Sequence, residues 1–354
     1  MLVSNTCLNK RYIINKPIFR NKNFISYLAF DEIIKTNIII KELFPITLVN
    51  RCENNKNVLI NSTKLKYFKL AKENYIEIFK TLQKFRANPS TIKIFSIFSE
   101  NNTIYCVQEV PKGISLKKFL SNNYGELNWE QSKTIFLKLM HFLQNLHNYN
   151  IIHCGLSPET ILVHNNNLKI IDFSNALYNF KKHILPQKLH DGYAPVEQYQ
   201  SNLNIGTFTD VYSLAAIIYK SLTGTSPVNS TSRLLNDNLL PPKNLNPSIP
   251  KNISVSIMSA LILSSKMRTQ TVSDFCADLT AKSRDYYKND YYNNHQKDKN
   301  IEIRQHINTL EPIKKKKTKE IKTRSIIFMA MLISSSVVLF TAAIIIFILF
   351  SGTF

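Results

Sequence analysis

The chain has 354 residues, 44% of them hydrophobic, which is long enough for one large or two modest cores and excludes a disordered composition. Its formal net charge of +21 comes from Lys and Arg scattered among many Asn and Ile residues, a pattern typical of solvated basic faces that argues against a nucleic-acid partner. The five cysteines are odd in number and widely spaced, so we expect free thiols in a reducing cytoplasm.

The first part of the chain predicts a β-rich unit. β-branched and aromatic residues between Asn and Lys turns predict three strands within residues 11–45. An amphipathic pattern from Leu65 to Phe85 then predicts a long helix. Two further strands, Thr91–Ser99 and Thr103–Val110, are expected to form a hairpin.

The next long helix is predicted to begin at Asn128, whose side chain can cap the amide of Gln131. Apolar residues recur at helical spacing after it, as in a core helix. His147 lies near the end of this pattern, and we expect it to be packed in the core rather than catalytic.

The central motif is I-I-H-C-G-L-S-P-E-T-I-L at 151–162, followed by D-F-S at 172–174. It resembles the catalytic loop, H-R-D-L-K-P-E-N, and the metal-binding turn, D-F-G, of protein kinases. The segment K-E-L-F-P at 41–45 looks like the K-E-Y-F-P of one bacterial subgroup of Ser/Thr kinases. Three later segments are similar to the end of the activation segment, the central helix and the closing R-x-Q-[ST] segment of the family: 192–199, 209–215 and 267–272.

The resemblance implies an α+β, two-lobed protein-kinase fold, with a small β-rich lobe at 11–110 and a large helical lobe at 111–285. In such a fold His153 and Phe173 would join a buried stack between the lobes, and Glu197 would pair with Arg268. Asp210 would cap the start of the central helix and hold the backbone of the catalytic loop.

The family's cofactors are ATP and Mg²⁺, and the resemblance implies which residues would hold them. Lys41 would pair with the nucleotide phosphates. The segment containing Glu109 would contact adenine, and Asp172 would bind Mg²⁺.

The chemistry of the catalytic loop has been replaced. Gly155 stands where the family has the aspartate that accepts the substrate proton, and Ser157 stands where it has a lysine that steadies the moving phosphoryl group. Thr160 replaces an asparagine that binds metal. Cys154 replaces an arginine that reads a phosphate in many kinases, so activation by phosphorylation has little support.

The small lobe departs from the family as well. The positions of the phosphate-loop glycines hold Phe19, Asn21 and Phe24, although glycine there lets backbone amides approach phosphates. Ile39 replaces an alanine that lies over adenine. The helix glutamate that pairs with the strand lysine is replaced by Ile78, with Glu77 one residue away.

The C-terminal part predicts a membrane anchor. Residues 326–350 contain no charged residue, and as a helix they would extend about 37 Å, enough for the hydrocarbon core of a bilayer. We therefore expect a transmembrane helix at 325–350, preceded by a basic juxtamembrane linker at 286–324. The basic flank predicts a single-pass, C-terminally anchored protein with residues 1–324 in the cytoplasm, and no signal peptide is visible at the N-terminus.

These observations favour a membrane-anchored protein-kinase-like protein that has lost catalysis, a pseudokinase that binds or regulates a protein partner at the membrane. One alternative is an active Ser/Thr kinase that uses Lys41 and Asp172 with non-standard catalytic residues. Another is a chain that binds ATP as a structural ligand without transfer; Ile39 and the missing glycines weigh against it.

Overall fold

The computed structural model describes residues 1–53, 56–122, 127–178, 185–200 and 203–281. Six strands near the N-terminus form one antiparallel sheet in the order β1-β2-β3-β4-β8-β7. These strands are β1 (Cys7–Leu8), β2 (Tyr12–Arg20), β3 (Phe24–Asp31), β4 (Thr36–Leu43), β7 (Ile94–Glu100) and β8 (Thr103–Glu109). The three strands predicted in residues 11–45 are confirmed as β2, β3 and β4, and the predicted hairpin is β7–β8.

Helix α1 (Leu65–Lys84) packs against this sheet, close to its predicted bounds. Its buried side chains recur every three or four residues, which places them on one face of the helix: Phe68, Ala71, Tyr75, Ile78, Phe79, Thr81 and Leu82. A short hairpin of β5 (Val49–Arg51) and β6 (Val58–Ile60) precedes the helix.

The sheet contains a buried carboxylate with a full set of donors. Glu42 on β4 is fully buried and accepts hydrogen bonds from the hydroxyls of Tyr27 and Tyr105 at 2.8 and 3.0 Å. The guanidinium of Arg51 donates two more at 2.8 and 2.6 Å. Because a buried charge is tolerated only when it is paired and hydrogen-bonded, this network fixes β5 against the sheet.

The remaining helices form the second, helical part: α2 (Leu116–Asn122), α3 (Trp129–Asn148), α4 (Val196–Tyr199), α5 (Thr207–Thr223), α6 (Ser230–Arg233), α7 (Pro242–Leu245), α8 (Lys251–Ala260) and α9 (Val272–Thr280). The predicted cap of α3 is confirmed, since the Asn128 side chain accepts a hydrogen bond from the amide of Gln131 at 3.3 Å. Nearly all of α5 is buried, as expected of a helix at the centre of a core.

One detail of α5 differs from the prediction. The residue that precedes the helix is Gly206, and its amide donates to the hydroxyl of Thr209 at 3.3 Å. Asp210 therefore lies inside the first turn and does not cap it. Its carboxylate instead accepts hydrogen bonds from the loop at 153–160.

Short strands frame that loop. β10 (Ile151–Ile152) pairs with β13 (Leu177–Tyr178), and β11 (Ile161–His164) lies between β12 (Asn167–Ile170) and β9 (Ile114–Ser115). The loop at 153–160 and the turn at 172–174 are thus held at both ends by strand pairing.

No helix in the described part of the chain is long and apolar enough to cross a membrane. The predicted transmembrane helix at 325–350 and the basic linker at 286–324 lie outside the described residues. All five cysteines are free thiols, as predicted.

Candidate functional site

Lys41 lies in the cleft between the sheet and the helical part. Along β4 the side chains alternate, so Ile39 and Lys41 share one face while Ile38 and Ile40 enter the core on the other. The Lys41 ammonium lies 3.3 Å from Asp172 Oδ1, and only 7% of the residue is exposed. Lys41 and Asp172 are therefore brought together, as the sequence interpretation requires, and Ile39 lies beside them on the cleft face of the strand.

Helix α1 offers no carboxylate to this lysine. Ile78, at the position of the family's glutamate, is buried, and in the described residues the ion-pair partner of Lys41 is Asp172, not Glu77. The hydroxyl of Tyr75 instead donates to the backbone carbonyl of Lys41 at 2.8 Å. The helix thus contacts the strand through a phenol and not through a salt bridge.

Gly155, at the position of the proton-accepting aspartate, faces the side chain of Asn175. A Cβ atom added to Gly155 would lie 3.0 Å from Asn175 Nδ2 and 3.2 Å from its Cβ, which is tighter than most packed contacts. The space that a side chain at position 155 would enter is occupied by Asn175.

Asn175 is held there by its own hydrogen bonds. Its Nδ2 donates to the carbonyls of Cys154 at 3.1 Å and of Lys188 at 2.8 Å, while its Oδ1 accepts from the amide of Lys188 at 3.2 Å. Gln198 Nε2 donates to the same Cys154 carbonyl at 2.7 Å. Asn175 and Gln198, to which the sequence interpretation assigned no role, thus both bind the loop at the Cys154 carbonyl. Asn175 also binds the backbone of Lys188.

Ser157 and Thr160 serve the loop's own turn. The single proton of the Thr160 hydroxyl is shared between the carbonyl oxygens of Gly155 and Ser157, at 3.0 and 3.1 Å, and the hydroxyl oxygen accepts from the amide of Ser157 at 3.0 Å. The Ser157 hydroxyl accepts from the amide of Glu159 at 3.3 Å. Both side chains stabilise backbone groups and add no positive charge to the cleft.

Three hydrogen-bond donors meet one oxygen of Asp172. Oδ1 accepts from Lys41 Nζ, from the amide of Ser174 at 3.0 Å, and from the Ser174 hydroxyl through a short hydrogen bond. Burial raises the pKa of Asp172, but the Lys41 charge and the Ser174 donors outweigh burial and lower the pKa to about 2. The carboxylate is therefore ionised and already neutralised by Lys41.

Two of the oxygens that the resemblance would assign to a divalent cation are already engaged in hydrogen bonds. Mg²⁺ requires near-octahedral oxygen ligands, which the family takes from positions 160 and 172. Thr160 Oγ1 is engaged in three hydrogen bonds within the loop, and Asp172 Oδ1 has three donors of its own. We therefore derive no chemical step through a metal at this site.

The buried elements of the loop match the sequence interpretation. The rings of His153 and Phe173 lie edge to face with centroids 4.9 Å apart. Asp210 accepts from the amides of His153 and Cys154 at 2.7 and 2.8 Å, and His147 Nε2 lies 2.8 Å from the same carboxylate. His147 is thus a packed residue, as predicted, and Asp210 holds the loop backbone.

Cys154 adopts an uncommon backbone conformation, with φ of +56°. Left-handed geometry is disfavoured for residues with a Cβ, and here its amide and carbonyl are both fixed by side chains from elsewhere in the fold. These contacts explain how a cysteine keeps the loop's shape.

The predicted anchor of the following segment is present. Arg268 Nη1 and Nη2 lie 2.6 and 3.2 Å from the two oxygens of Glu197, and both side chains are almost completely buried. Arg268 also donates to the carbonyls of Ile262 and Leu263. The bidentate pair is fully satisfied.

A cleft of about 400 Å³, lined in part by Lys117, Glu159 and His190, lies beside the loop, and the sequence interpretation did not identify it. Glu159 pairs with Lys117 at 2.9 Å and with Lys188 at 3.1 Å, and these hydrogen bonds lower the pKa of Glu159 to about 2. His190 Nδ1 lies 3.7 Å from Glu159, and burial followed by the charge of Lys188 lowers the pKa of His190. A single histidine in a loop gives no sequence pattern that would have singled it out.

Glu109, expected near adenine, is engaged with the helical part. Its carboxylate accepts from Lys169 Nζ at 2.6 Å and from the amide of Lys93 at 3.1 Å. Its backbone lies at the end of β8, where the chain crosses from the sheet to the helices. The Glu109 side chain thus stabilises the connection between β8 and the helical part, and none of these contacts would recognise adenine.

Comparison with known proteins agrees with this geometry. Residues 47–285 match the family model described as protein kinase domain, which is more than half of the chain. A solved structure titled "PpkA-294 apo form" matches 79% of this chain and 99% of its own length, with a TM-score of 0.62 and 23% sequence identity. That likeness supports the two-lobed fold and no more.

Two curated relatives are serine/threonine-protein kinases. The chain is 28% identical over 210 residues to a probable serine/threonine-protein kinase of Clostridium perfringens, covering 56% of this chain and 30% of that protein. It is 23% identical over 212 residues to the serine/threonine-protein kinase PrkC of Bacillus subtilis, covering 54% of this chain and 31% of that protein. The chain thus spans under a third of each relative's length.

Proteins of this kind use ATP and Mg²⁺. By its match to the domain model, and with the loop, turn and anchoring ion pair in place, the chain belongs to the protein kinase family.

Proposed function

We propose that this protein is a catalytically inactive member of the protein kinase family that acts as a binding or regulatory module. The observation that carries the proposal is the pair Gly155 and Asn175. Position 155 has no proton acceptor, and a neutral amide, bonded on both its ends, fills the adjoining space.

The surrounding residues support the same conclusion. Phosphoryl transfer depends on positioned charges, so each group must carry the right charge at the right place. Ser157 brings no cation, and the hydroxyl of Thr160 is committed to the loop backbone. Loss of one such group typically lowers the rate by about a hundred- to a thousandfold, and several losses together leave negligible transfer.

We further propose that the module acts on a protein partner at the membrane. The proposal rests on the uncharged run at 326–350 and the basic residues before it, which predict an anchor with residues 1–324 on the cytoplasmic side. Extraction of membranes with alkaline carbonate tests this directly: the full chain stays in the pellet, while a chain ending at residue 324 is released. Release of the full chain would exclude the anchor.

A second candidate function is an active Ser/Thr kinase, and one observation favours it. Lys41 and Asp172 retain the family's residue types and lie 3.3 Å apart in the cleft. Such an enzyme would need a proton acceptor from outside the usual position.

Labelled ATP separates the two functions. The purified full chain is incubated with γ-labelled ATP, Mg²⁺ or Mn²⁺ and a generic protein substrate, beside the Lys41→Ala and Asp172→Ala variants. We expect equal, background-level label in all three. Transfer by the wild-type chain that disappears in both variants would establish the active kinase and overturn the inactive one.

A further inference from the structure

The turn between β2 and β3, Asn21–Phe24, uses its own backbone amides. Asn21 Oδ1 accepts from the amides of Asn23 at 2.8 Å and Phe24 at 2.7 Å, and the amide of Asn21 donates to the carbonyl of Phe24 at 3.0 Å. A loop that binds phosphates needs amides that are free to point at the ligand. Three of the four amides in this turn have internal partners.

The same turn is bonded across the cleft in two places. Asn23 Nδ2 donates to the carbonyl of Pro186 at 2.8 Å, and Asn21 Nδ2 donates to the hydroxyl of Ser174 at 3.4 Å. Asn23 is 4% exposed, so its contact is shielded from water. On the sheet side, the carbonyl of Asn23 accepts from the amide of Phe44 at 2.8 Å, which fixes the turn to the end of β4.

These contacts continue into the polar centre of the cleft. The Ser174 hydroxyl accepts from the side-chain amide of Asn21 and donates in turn to Asp172. Asp172 pairs with Lys41. The ring of Phe24 lies below the Lys41 ammonium, with 5.5 Å between the nitrogen and the ring centroid. Groups that would meet phosphates and metal in a nucleotide-binding kinase are thus bonded to one another.

We infer that the Asn21–Phe24 turn is a latch that holds the sheet and the helical part together without a nucleotide. The side-chain amides of Asn21 and Asn23 bridge the two parts at the end of the cleft where phosphates and metal would lie. Mg-ATP is therefore not a ligand of the closed arrangement. The latch makes the relation between the two parts independent of nucleotide concentration. This inference concerns nucleotide entry and not the missing proton acceptor, so it can fail while the proposed loss of catalysis holds.

The first test is thermal unfolding of the full chain in detergent micelles, with millimolar ATP and either Mg²⁺ or EDTA. A ligand that binds only the folded state raises Tm, so the latch predicts the same Tm in all conditions. A rise of more than about 2 °C that is lost in Lys41→Ala would show nucleotide in the cleft and overturn the latch.

The second test measures the latch itself by hydrogen exchange at the amides of residues 187–189. We expect Asn23→Ala to speed exchange there by about fivefold, the effect of losing one ordinary hydrogen bond. Asn21→Asp is a second variant in case Asn23→Ala folds poorly. It keeps an oxygen for the amides of Asn23 and Phe24 but loses the donor to Ser174, so it should speed exchange at residues 173–175. Asn37→Ala, at an exposed position on β4, is the matched control. If exchange at residues 187–189 and at 173–175 equalled that of the control, the inference would be overturned even if ATP left Tm unchanged.

Discussion

The side chain of Asn175 lies where a side chain on Gly155 would have to go: a Cβ at position 155 would approach Asn175 Nδ2 to 3.0 Å. The two residues are therefore complementary in shape, although 20 positions separate them along the chain. Restoring an aspartate at position 155 would not by itself restore an active site, because Asn175 must also move.

This complementarity predicts a strong coupling in a double-mutant cycle. Gly155→Ala should lower the free energy of unfolding by about 1–3 kcal/mol through overpacking. In an Asn175→Gly background the Nδ2, Cγ and Cβ atoms that crowd the added methyl are all removed, so the same substitution should cost much less, giving a coupling of about 0.5–3 kcal/mol in urea unfolding. Additive effects of the two substitutions would contradict the contact.

The hydroxyl of Thr160 should matter more than its methyl group. Thr160→Val leaves the amide of Ser157 without its acceptor in a buried loop and should cost about 1–3 kcal/mol of unfolding free energy. Thr160→Ser keeps the hydroxyl and loses one methyl, so its cost should be about 0.8 kcal/mol or less. If the two variants lowered the unfolding free energy equally in chemical denaturation, the result would argue against a hydrogen-bonding role for the Thr160 hydroxyl.

The buried pair of Glu197 and Arg268 should be costly to break. Arg268→Ala leaves an uncompensated buried carboxylate and should destabilise the protein by about 3–5 kcal/mol. The exposed pair of Lys133 and Glu130 on α3 is the control, since Lys133→Ala should change stability by less than about 0.5 kcal/mol. Similar values for the two variants would show that burial does not set the cost.

The Lys41–Asp172 pair predicts a specific dependence of stability on pH. The pKa of Asp172 is lowered from 3.8 to about 2 in the folded protein, so its contribution is present above about pH 4 and is lost as pH falls through 2. That contribution is at most about 2 kcal/mol, because part of the side chain is exposed. Lys41→Met removes the cation and leaves burial to raise the pKa of Asp172.

The difference in unfolding free energy between Lys41→Met and the wild type should therefore shrink as the pH is lowered from 7 towards 2. Urea titrations at intervals of one pH unit measure it. Lys16→Met, at an exposed position of β2, should show a small difference at every pH. A Lys41→Met difference that stays constant with pH would contradict the ion pair.

Much of the fold was predictable because its signals are local. The β-branched and aromatic runs of β2 to β4, the helical spacing on α1 and the Asn128 cap depend on neighbouring residues, and each lies where the pattern places it. Glu197, Arg268 and Asp210 were found through segments that resemble the family. The cap assigned to Asp210 was wrong because α5 begins earlier, at Thr207.

The contacts that define the candidate site were not predictable. Asn175 and Gln198 bond to a backbone carbonyl, and every residue offers one, so neither residue type nor spacing identifies the partner. The same holds for Asn23 and the carbonyl of Pro186, which are 163 positions apart. Such contacts depend on the final positions of distant segments.

The attachment of α1 has a consequence for how the protein can be recognised. Tyr75 stacks on Phe24 with 5.5 Å between the ring centroids, and its hydroxyl bonds to the strand backbone. A salt bridge can open while the core stays intact, whereas a stacked ring leaves its place only if its neighbours repack. A partner that contacted α1 would therefore meet a helix whose position against the sheet changes only if the aromatic core repacks.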